Sequence, residues 1–176
     1  PYLRDDETLG RPWAIPGTPG LEHRIGGLAK APITGNVSQD PRHHEQMVKL
    51  RAEKVARLAN AVPEQDVFGP AEGDLLVVTW GGTFGAVRTA VTRARKNHNY
   101  DVAHAHLRFL NPFPRNMEKI LRSYKRILVP ELNNGQLAFV LRGTYGLDNI
   151  VSYPKLHARP FKIGEVYQKL EELFNN

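Results

Sequence analysis

The sequence of 176 residues contains no cysteine. This absence excludes a disulfide framework, and it excludes a thiolate zinc site or an iron–sulfur cluster held by this chain alone. Any redox centre that works with the chain must therefore lie elsewhere.

Long apolar runs are also missing. No stretch approaches the roughly 20 apolar residues that cross a bilayer, and the amino terminus has no signal-peptide pattern. The sequence therefore predicts a soluble, cytoplasmic protein with no membrane contact. Its first residue is Pro1 and its opening stretch is rich in turns, which we interpret as a segment of a longer protein.

Acidic residues are outnumbered in the second part of the chain. Residues 1–70 hold nine Lys and Arg against nine Asp and Glu, whereas residues 71–176 hold fifteen against nine, so the net charge of +6 belongs there. The basic residues on or beside two predicted helices are Arg88, Arg93, Arg95, Lys96, Arg115, Lys119, Arg122, Lys125 and Arg126. They indicate either solvated helix faces or a basic surface for an anionic partner. Nucleic acid is the least favoured partner, because no exposed aromatic pattern interleaves with the charges.

The organisation of the chain changes near residue 70. Residues 1–41 are rich in Gly, Pro, Thr, Asn and Asp, which predicts a turn-rich arm. A helix should then begin, with Asp40 as its N-cap and Pro41 at its first position, and it should run to about Asn60. We predict that residues 1–70 form this arm and helix, and that residues 71–176 form a separate α/β domain.

Beyond residue 70 the pattern alternates between strand and helix. Strands are predicted at 75–79, 102–107, 126–129 and 150–153, and helices at 85–97, 115–124, 136–144 and 163–174. This alternation implies parallel strands joined by right-handed crossovers. The predicted fold is a three-layer α/β sandwich with a mostly parallel sheet, preceded by the arm and its helix.

The glycine-rich turn after the first strand of this domain is a candidate ligand loop. Gly81, Gly82 and Thr83 lie where a parallel sheet presents its carboxyl edge, and a phosphate could bind their backbone amides. The sequence lacks the dinucleotide fingerprint and the P-loop lysine, so a tight turn without a ligand is at least as well supported.

Two histidines on the second predicted strand are a candidate metal pair. His104 and His106 lie two positions apart, so both side chains point to one face. Because a metal site needs three or four donors and no third ligand is evident, packing and hydrogen bonding are favoured over a metal.

Three loops should meet at the carboxyl edge of the sheet. Asn111 and Phe113 follow the second strand, whereas Glu131, Asn133 and Gln136 follow the third. Together with the glycine turn, they mix apolar, conformationally fixed residues with a few polar groups. We therefore predict that this edge is a contact surface for another domain or subunit.

Six co-linear segments resemble one enzyme family. The segments are Gly17-Thr-Pro-Gly-Leu-Glu-His23, Thr34-Gly-Asn-Val-Ser38 with Asp40, Met47-Val-Lys-Leu-Arg-Ala-Glu-Lys54, Trp80-Gly-Gly-Thr83, Ala103-His-Ala-His-Leu-Arg-Phe-Leu-Asn-Pro-Phe-Pro114, and Val129-Pro-Glu-Leu-Asn133 with Gly135-Gln136. In this order they are similar to the C-terminal part of the alpha subunit of 2-oxoglutarate:ferredoxin oxidoreductase, over nearly the whole chain.

This resemblance implies a domain similar to the transketolase C-terminal domain. It also implies an enzyme that oxidatively decarboxylates 2-oxoglutarate to succinyl-CoA, with thiamine diphosphate, Mg, an iron–sulfur cluster, coenzyme A as substrate and ferredoxin as electron acceptor. In this family the diphosphate, metal and cluster sites lie in the beta subunit, and the pyrimidine-binding domain precedes the present segment. The resemblance therefore implies that this fragment holds no cofactor, is inactive alone, and assembles with the rest of the alpha subunit and with the beta subunit.

Polar residues of the arm leave two interpretations open. His23, Asn36 and Asp40 either bond locally in turns and caps, or line the approach to an active site formed with other domains. For the whole chain, the resemblance favours a noncatalytic assembly domain of the enzyme. Two alternatives stay open, an independent flavodoxin-like nucleotide-binding module and a basic protein-interaction domain.

Overall fold

The computed structural model describes residues 1–175 and divides the chain into two compact units. The first unit is Pro1–Val62, and the second begins at Pro63. This boundary lies eight residues before the predicted one because Val67–Phe68 pair with the sheet of the second unit. Whether each unit is an independent domain stays a prediction. No helix within residues 1–175 is long and apolar enough to span a bilayer.

The first unit is a turn-rich arm followed by one helix. Residues 1–40 contain only the isolated bridges Tyr2 to Ile33 and Lys30 to Val37. Helix α1 is Pro41–Arg57, and a single 3₁₀ turn follows it at Leu58–Asn60. Asp40 caps α1 as predicted, because its carboxylate accepts the amide of Arg42 at 2.9 Å.

The second unit contains every strand that was predicted and one that was not. Its strands are β1 Val67–Phe68, β2 Gly73–Trp80, β3 Val102–Leu107, β4 Tyr124–Glu131 and β5 Ile150–Pro154. Its helices are α2 Phe84–His98, α3 Met117–Arg122, α4 Gln136–Tyr145 and α5 Ile163–Asn175. A 3₁₀ turn at Gly81–Thr83 joins β2 to α2.

The five strands form one sheet in the order β1-β3-β2-β4-β5. The pairs β3-β2, β2-β4 and β4-β5 are parallel, whereas β1 runs antiparallel to β3. The central strand β2 is buried on both faces at Leu75–Thr79, as its continuous apolar run predicts. The predicted mostly parallel α/β sandwich is confirmed.

Two apolar cores cover the two faces of the sheet. One core joins Leu76 and Val78 of β2 to Leu121 of α3 and Leu141 of α4. The other joins Leu75 and Val77 to buried residues of α2 and α5, which are Val87, Ala90, Val91, Ala94, Val166 and Leu170. Alternate residues of β2 therefore point to opposite helical layers.

The largest differences from the predicted element bounds are at α3 and β4. Helix α3 is only Met117–Arg122, and β4 is longer, since it begins at Tyr124 and includes Pro130. Tyr124 is 3% exposed, and its hydroxyl donates to the carbonyl of Pro70. Pairing with β2 ends at Leu128, so the missing amide of Pro130 removes no hydrogen bond on that side.

The irregular arm should exchange its amide hydrogens faster than the sheet. Few backbone hydrogen bonds protect residues 1–40, whereas Leu75–Val78 are fully buried in β2. Hydrogen exchange read by mass spectrometry on the isolated chain should show arm peptides exchanging first. Equal protection in the arm and in β2 would mean that the arm is part of the stable core.

Candidate functional site

A shallow cleft lies at the carboxyl ends of the neighbouring strands β2 and β4. It has a volume of about 290 Å³ and is lined by Trp80, Gly81, Gly82, Thr83, Leu132, Asn133 and Gln136. Five of these were predicted from the sequence, and Trp80 and Leu132 complete the wall. The two loops meet because β2 and β4 are adjacent and parallel.

The β2 to α2 turn forms one wall of the cleft. Gly81 has a φ of 59°, a left-handed conformation that favours glycine. Thr83 is nearly buried, and its hydroxyl donates to the carbonyl of Trp80 at 2.8 Å. Because this bond closes the turn within the chain, a tight-turn role is supported; the phosphate role stays a prediction.

The other wall is the start of α4, where side chains of this chain bind the free amides. The side-chain oxygen of Asn133 accepts the amides of Gly135 and Gln136, each at 2.9 Å. The carboxylate of Glu131 accepts the amides of Leu137 at 2.7 Å and Ala138 at 3.0 Å. The first turn of α4 is thus capped internally.

Three predicted edge residues lie outside the cleft lining. Glu131 is fully buried, so it serves α4 rather than an outward surface. Phe113 is partly buried against the first core, with its ring 5.7 Å from that of Tyr145. The ring of Phe113 thus makes contacts inside its own unit, and its role in a partner contact stays a prediction. Asn111 is exposed.

Replacing Glu131 by Ala should strongly destabilise the second unit. The change leaves two buried α4 amides without an acceptor, at a cost of roughly 2–4 kcal/mol. Urea unfolding of the isolated chain measures this loss in the free energy of unfolding. The matched control is Glu118→Ala, which removes an exposed carboxylate paired with Arg122 and should cost at most about 0.5 kcal/mol. Equal losses in the two variants would contradict the capping role.

On the face of the sheet that α2 covers, the two predicted histidines lie within hydrogen-bond distance of the same threonine. The hydroxyl of Thr79 lies 2.7 Å from His104 Nε2 and 2.8 Å from His106 Nδ1. Arg88 on α2 donates its Nε hydrogen to His104 Nδ1 at 3.1 Å. Sequence reasoning found the histidine pair but missed Thr79 and Arg88, which become neighbours only in the folded sheet.

These bonds leave one arrangement of protons that satisfies every partner. Because Arg88 Nε always donates, His104 Nδ1 accepts, and the proton of this imidazole must lie on Nε2. That proton is donated to Thr79, whose own hydroxyl hydrogen is donated to His106 Nδ1. The remaining proton of neutral His106 is then on Nε2. Burial, Arg88 and His106 together lower the pKa of His104 to about 3, which keeps its ring neutral.

The buried His104 should make the fold less stable as the pH falls. In the unfolded chain a histidine binds a proton near its usual pKa of 6.5, whereas the folded ring resists it down to about 3. Between these values, stability should fall by up to about 1.4 kcal/mol per pH unit. Urea unfolding of the wild type and His104→Asn across pH 6.5 to 4 should show a shallower dependence in the variant. Identical slopes would contradict this assignment.

The arm residues predicted near an active site make local contacts in the first unit. The Nδ1 of His23 is 2.8 Å from the carbonyl of Leu21, and the amide of Asn36 lies 3.4 Å from the Thr34 hydroxyl. His23 also borders a cleft of about 600 Å³. The other residues that line this cleft include Tyr2, Arg11, Trp13 and Lys54. The role of His23, Asn36 and Asp40 in an active-site approach stays a prediction.

The predicted basic residues of α2 divide into two groups. Arg93 and Lys96 are exposed, whereas Arg88 and Arg95 are partly buried and bond within the unit. Arg95 donates to the carbonyl of Val102 at 3.0 Å. The basic surface of α2 is consequently smaller than its sequence indicates.

Helix α4 carries an apolar outer face that the sequence analysis missed. Phe139 is 76% exposed and Val140 is 43% exposed, while Leu137, Ala138 and Leu141 face the core. Leu132, beside the helix in the cleft, is also 43% exposed. The run Leu137 to Leu141 is apolar without interruption, which is the signal of a helix covered on more than one side.

The described residues do not fit a metal or a cluster. Residues 1–175 contain no group of three His, Cys, Asp or Glu side chains placed to hold a metal ion, and the whole sequence lacks cysteine. His104 and His106 already use three of their four ring nitrogens in hydrogen bonds. This arrangement favours the packing role of the histidine pair.

Comparison with known proteins relates the chain to one group of enzymes. Residues 73–151 match the family described as pyruvate:ferredoxin oxidoreductase core domain II. The KorA subunit of 2-oxoglutarate oxidoreductase of Mycobacterium tuberculosis is 48% identical over 167 residues, which cover 94% of this chain and 25% of that subunit. The KorA subunit of 2-oxoglutarate synthase of Methanothermobacter marburgensis is 24% identical over 92% of this chain and 41% of that subunit.

A solved structure has the same architecture. It is the 2-oxoglutarate:ferredoxin oxidoreductase from Magnetococcus marinus with 2-oxoglutarate, coenzyme A and succinyl-CoA bound. It matches with a TM-score of 0.86 and 27% identity over 98% of this chain and 30% of that chain. The present chain therefore spans about a quarter to two fifths of the length of these relatives.

Proposed function

We propose that this chain, which is related to the alpha subunits of 2-oxoglutarate:ferredoxin oxidoreductases, is a noncatalytic assembly domain of such an enzyme. The complete enzyme would oxidatively decarboxylate 2-oxoglutarate to succinyl-CoA in the cytoplasm and pass the electrons to ferredoxin. The 48% identity to a KorA subunit over 94% of the chain supports this assignment.

The outer face of α4 is the observation that carries the assembly role. This helix packs one apolar side on its own sheet and presents Phe139 and Val140 on the other. An exposed, contiguous apolar surface of this kind typically marks a protein contact. The cleft beside it, between Gly82 and Leu132, extends the same edge. The relatives are several times longer, so further parts of the alpha subunit or the beta subunit are the proposed occupants.

An iron–sulfur cluster does not fit the side chains of this chain. A cluster needs cysteine ligands, which the sequence lacks, and residues 1–175 offer no three-ligand metal group. We therefore assign the cluster to other parts of the enzyme, and the family resemblance implies the same for thiamine diphosphate and Mg. The isolated chain should show no turnover with 2-oxoglutarate, coenzyme A, thiamine diphosphate and ferredoxin.

Replacing Phe139 by Asp should prevent assembly without unfolding the chain. The side chain is mostly exposed in the isolated chain, so its loss costs little stability there. In a contact, the buried and unpaired carboxylate should cost about 2–4 kcal/mol of binding. Co-purification of the chain, within its complete alpha subunit, with the beta subunit measures the effect, and circular dichroism checks the fold.

Arg93→Asp serves as the comparison because it alters an exposed residue of α2. If Arg93→Asp blocked assembly and Phe139→Asp did not, the basic protein-interaction domain would be the better assignment. Tight one-to-one binding of FMN or NAD by the isolated chain would instead favour the flavodoxin-like module.

A further inference from the structure

Arg88 is a positive charge held in place by aromatic rings rather than by a carboxylate. Its guanidinium carbon lies 4.0 Å from the ring centre of Phe68 and 5.1 Å from that of Phe84. Its Nε is bound to His104. Among residues 1–175, no carboxylate forms a salt bridge with Arg88.

The terminal nitrogens of Arg88 keep some contact with solvent. Arg88 is partly buried, and no hydrogen bond of these nitrogens is formed among residues 1–175. In the same residues, the one fully buried side-chain polar atom without a partner belongs to Asn149. Nη1 and Nη2 of Arg88 therefore keep solvent access. The fixed Nε bond and the two rings orient the free edge of the guanidinium, so little side-chain entropy is left to lose on binding.

His106 presents a second oriented donor on the same face of the sheet. Its ring is 6.1 Å from that of His104 and 5.0 Å from that of Phe84, measured between centres. Its Nδ1 accepts from Thr79, and its Nε2 hydrogen has no hydrogen-bond partner among residues 1–175. The bond chain from Arg88 through His104 and Thr79 thus fixes His106 as a donor.

Two arginines act electrostatically on His106. The pKa of His106 is lowered by partial burial first, and then by Arg108 and Arg88. No carboxylate contributes to the pKa shifts of Arg88, His104 or His106. A partly buried cation without a counter-charge is costly, which makes this cluster receptive to an anion.

We propose that Arg88 and His106, with Arg108 beside them, form a binding site for the oxyanion group of a small molecule, either a phosphate or a carboxylate. The planar edge of the guanidinium suits two oxygens of one such group, and His106 Nε2 offers a third hydrogen. Phe84, which is 44% exposed, supplies an apolar wall beside these donors. The site lies on the α2 side of the sheet and is independent of the assembly role.

NMR of imidazole nitrogens in the 176-residue chain tests the proposal directly. Sodium phosphate and sodium acetate are titrated separately at constant ionic strength set with chloride. A saturable shift of the His106 Nε2 signal and an upward shift of the His106 pKa are expected with one or both probes. Saturation by phosphate alone identifies a phosphate ligand, and saturation by acetate alone identifies a carboxylate ligand.

Three variants separate a built site from general surface charge. Arg88→Leu keeps an apolar contact with Phe68 and should weaken binding roughly tenfold or more, as loss of a charge-assisted hydrogen bond predicts. Arg108→Leu, at an exposed position, should weaken binding by a smaller factor even if Arg88→Leu fails to fold. Arg93→Leu removes the same charge from the solvent side of α2 and should leave binding unchanged.

The proposal is overturned by either of two results. One is the absence of a saturable response to both probes in the wild type. The other is a response that weakens equally in Arg88→Leu, Arg108→Leu and Arg93→Leu, because that pattern reports net charge rather than oriented donors.

Discussion

The buried carboxylate of Glu131 determines where α4 begins, and the functional edge of the second unit depends on that contact. Glu131 is the last residue of β4 and accepts two amides from the first turn of α4. Asn133 binds the two amides before them. With its start fixed in this way, α4 packs Leu141 against the sheet and presents Phe139 to solvent. The cap therefore shapes both the cleft wall and the proposed contact surface.

The two faces of the sheet carry different chemistry. The α4 side offers the exposed apolar residues Phe139 and Val140, which suit a protein contact. The α2 side encloses a directed series of hydrogen bonds from Arg88 to His106, and the guanidinium of Arg88 has no salt-bridge partner among residues 1–175. Because successive side chains of a strand point to opposite faces of a sheet, β2 serves both faces: Val78 joins the core beneath α4, whereas Thr79 joins the histidines. Strand β2 thus contributes to both faces for which a function is proposed.

Much of the second unit could be predicted from its sequence because its strands are buried and its helices are periodic. The bounds of β3 and the N-cap of α1 at Asp40 agree with the structure. Antiparallel β1 was missed, since two residues give no periodic signal. The packing of Phe113 on Tyr145 could not be predicted, because a Pro-Phe-Pro loop is equally compatible with exposure and with burial. The Arg88 to His106 series needed the strand register, which places Thr79 opposite His106.

Solvent protection of Phe139 tests the central claim most directly. Hydroxyl-radical footprinting, read by mass spectrometry, compares its oxidation rate in the isolated chain and in the assembled enzyme. The account predicts rapid oxidation in the isolated chain, where the ring is 76% exposed, and strong protection in the assembly. An equal rate in both states would show that the outer face of α4 stays in water, and it would contradict the assembly role proposed for this surface.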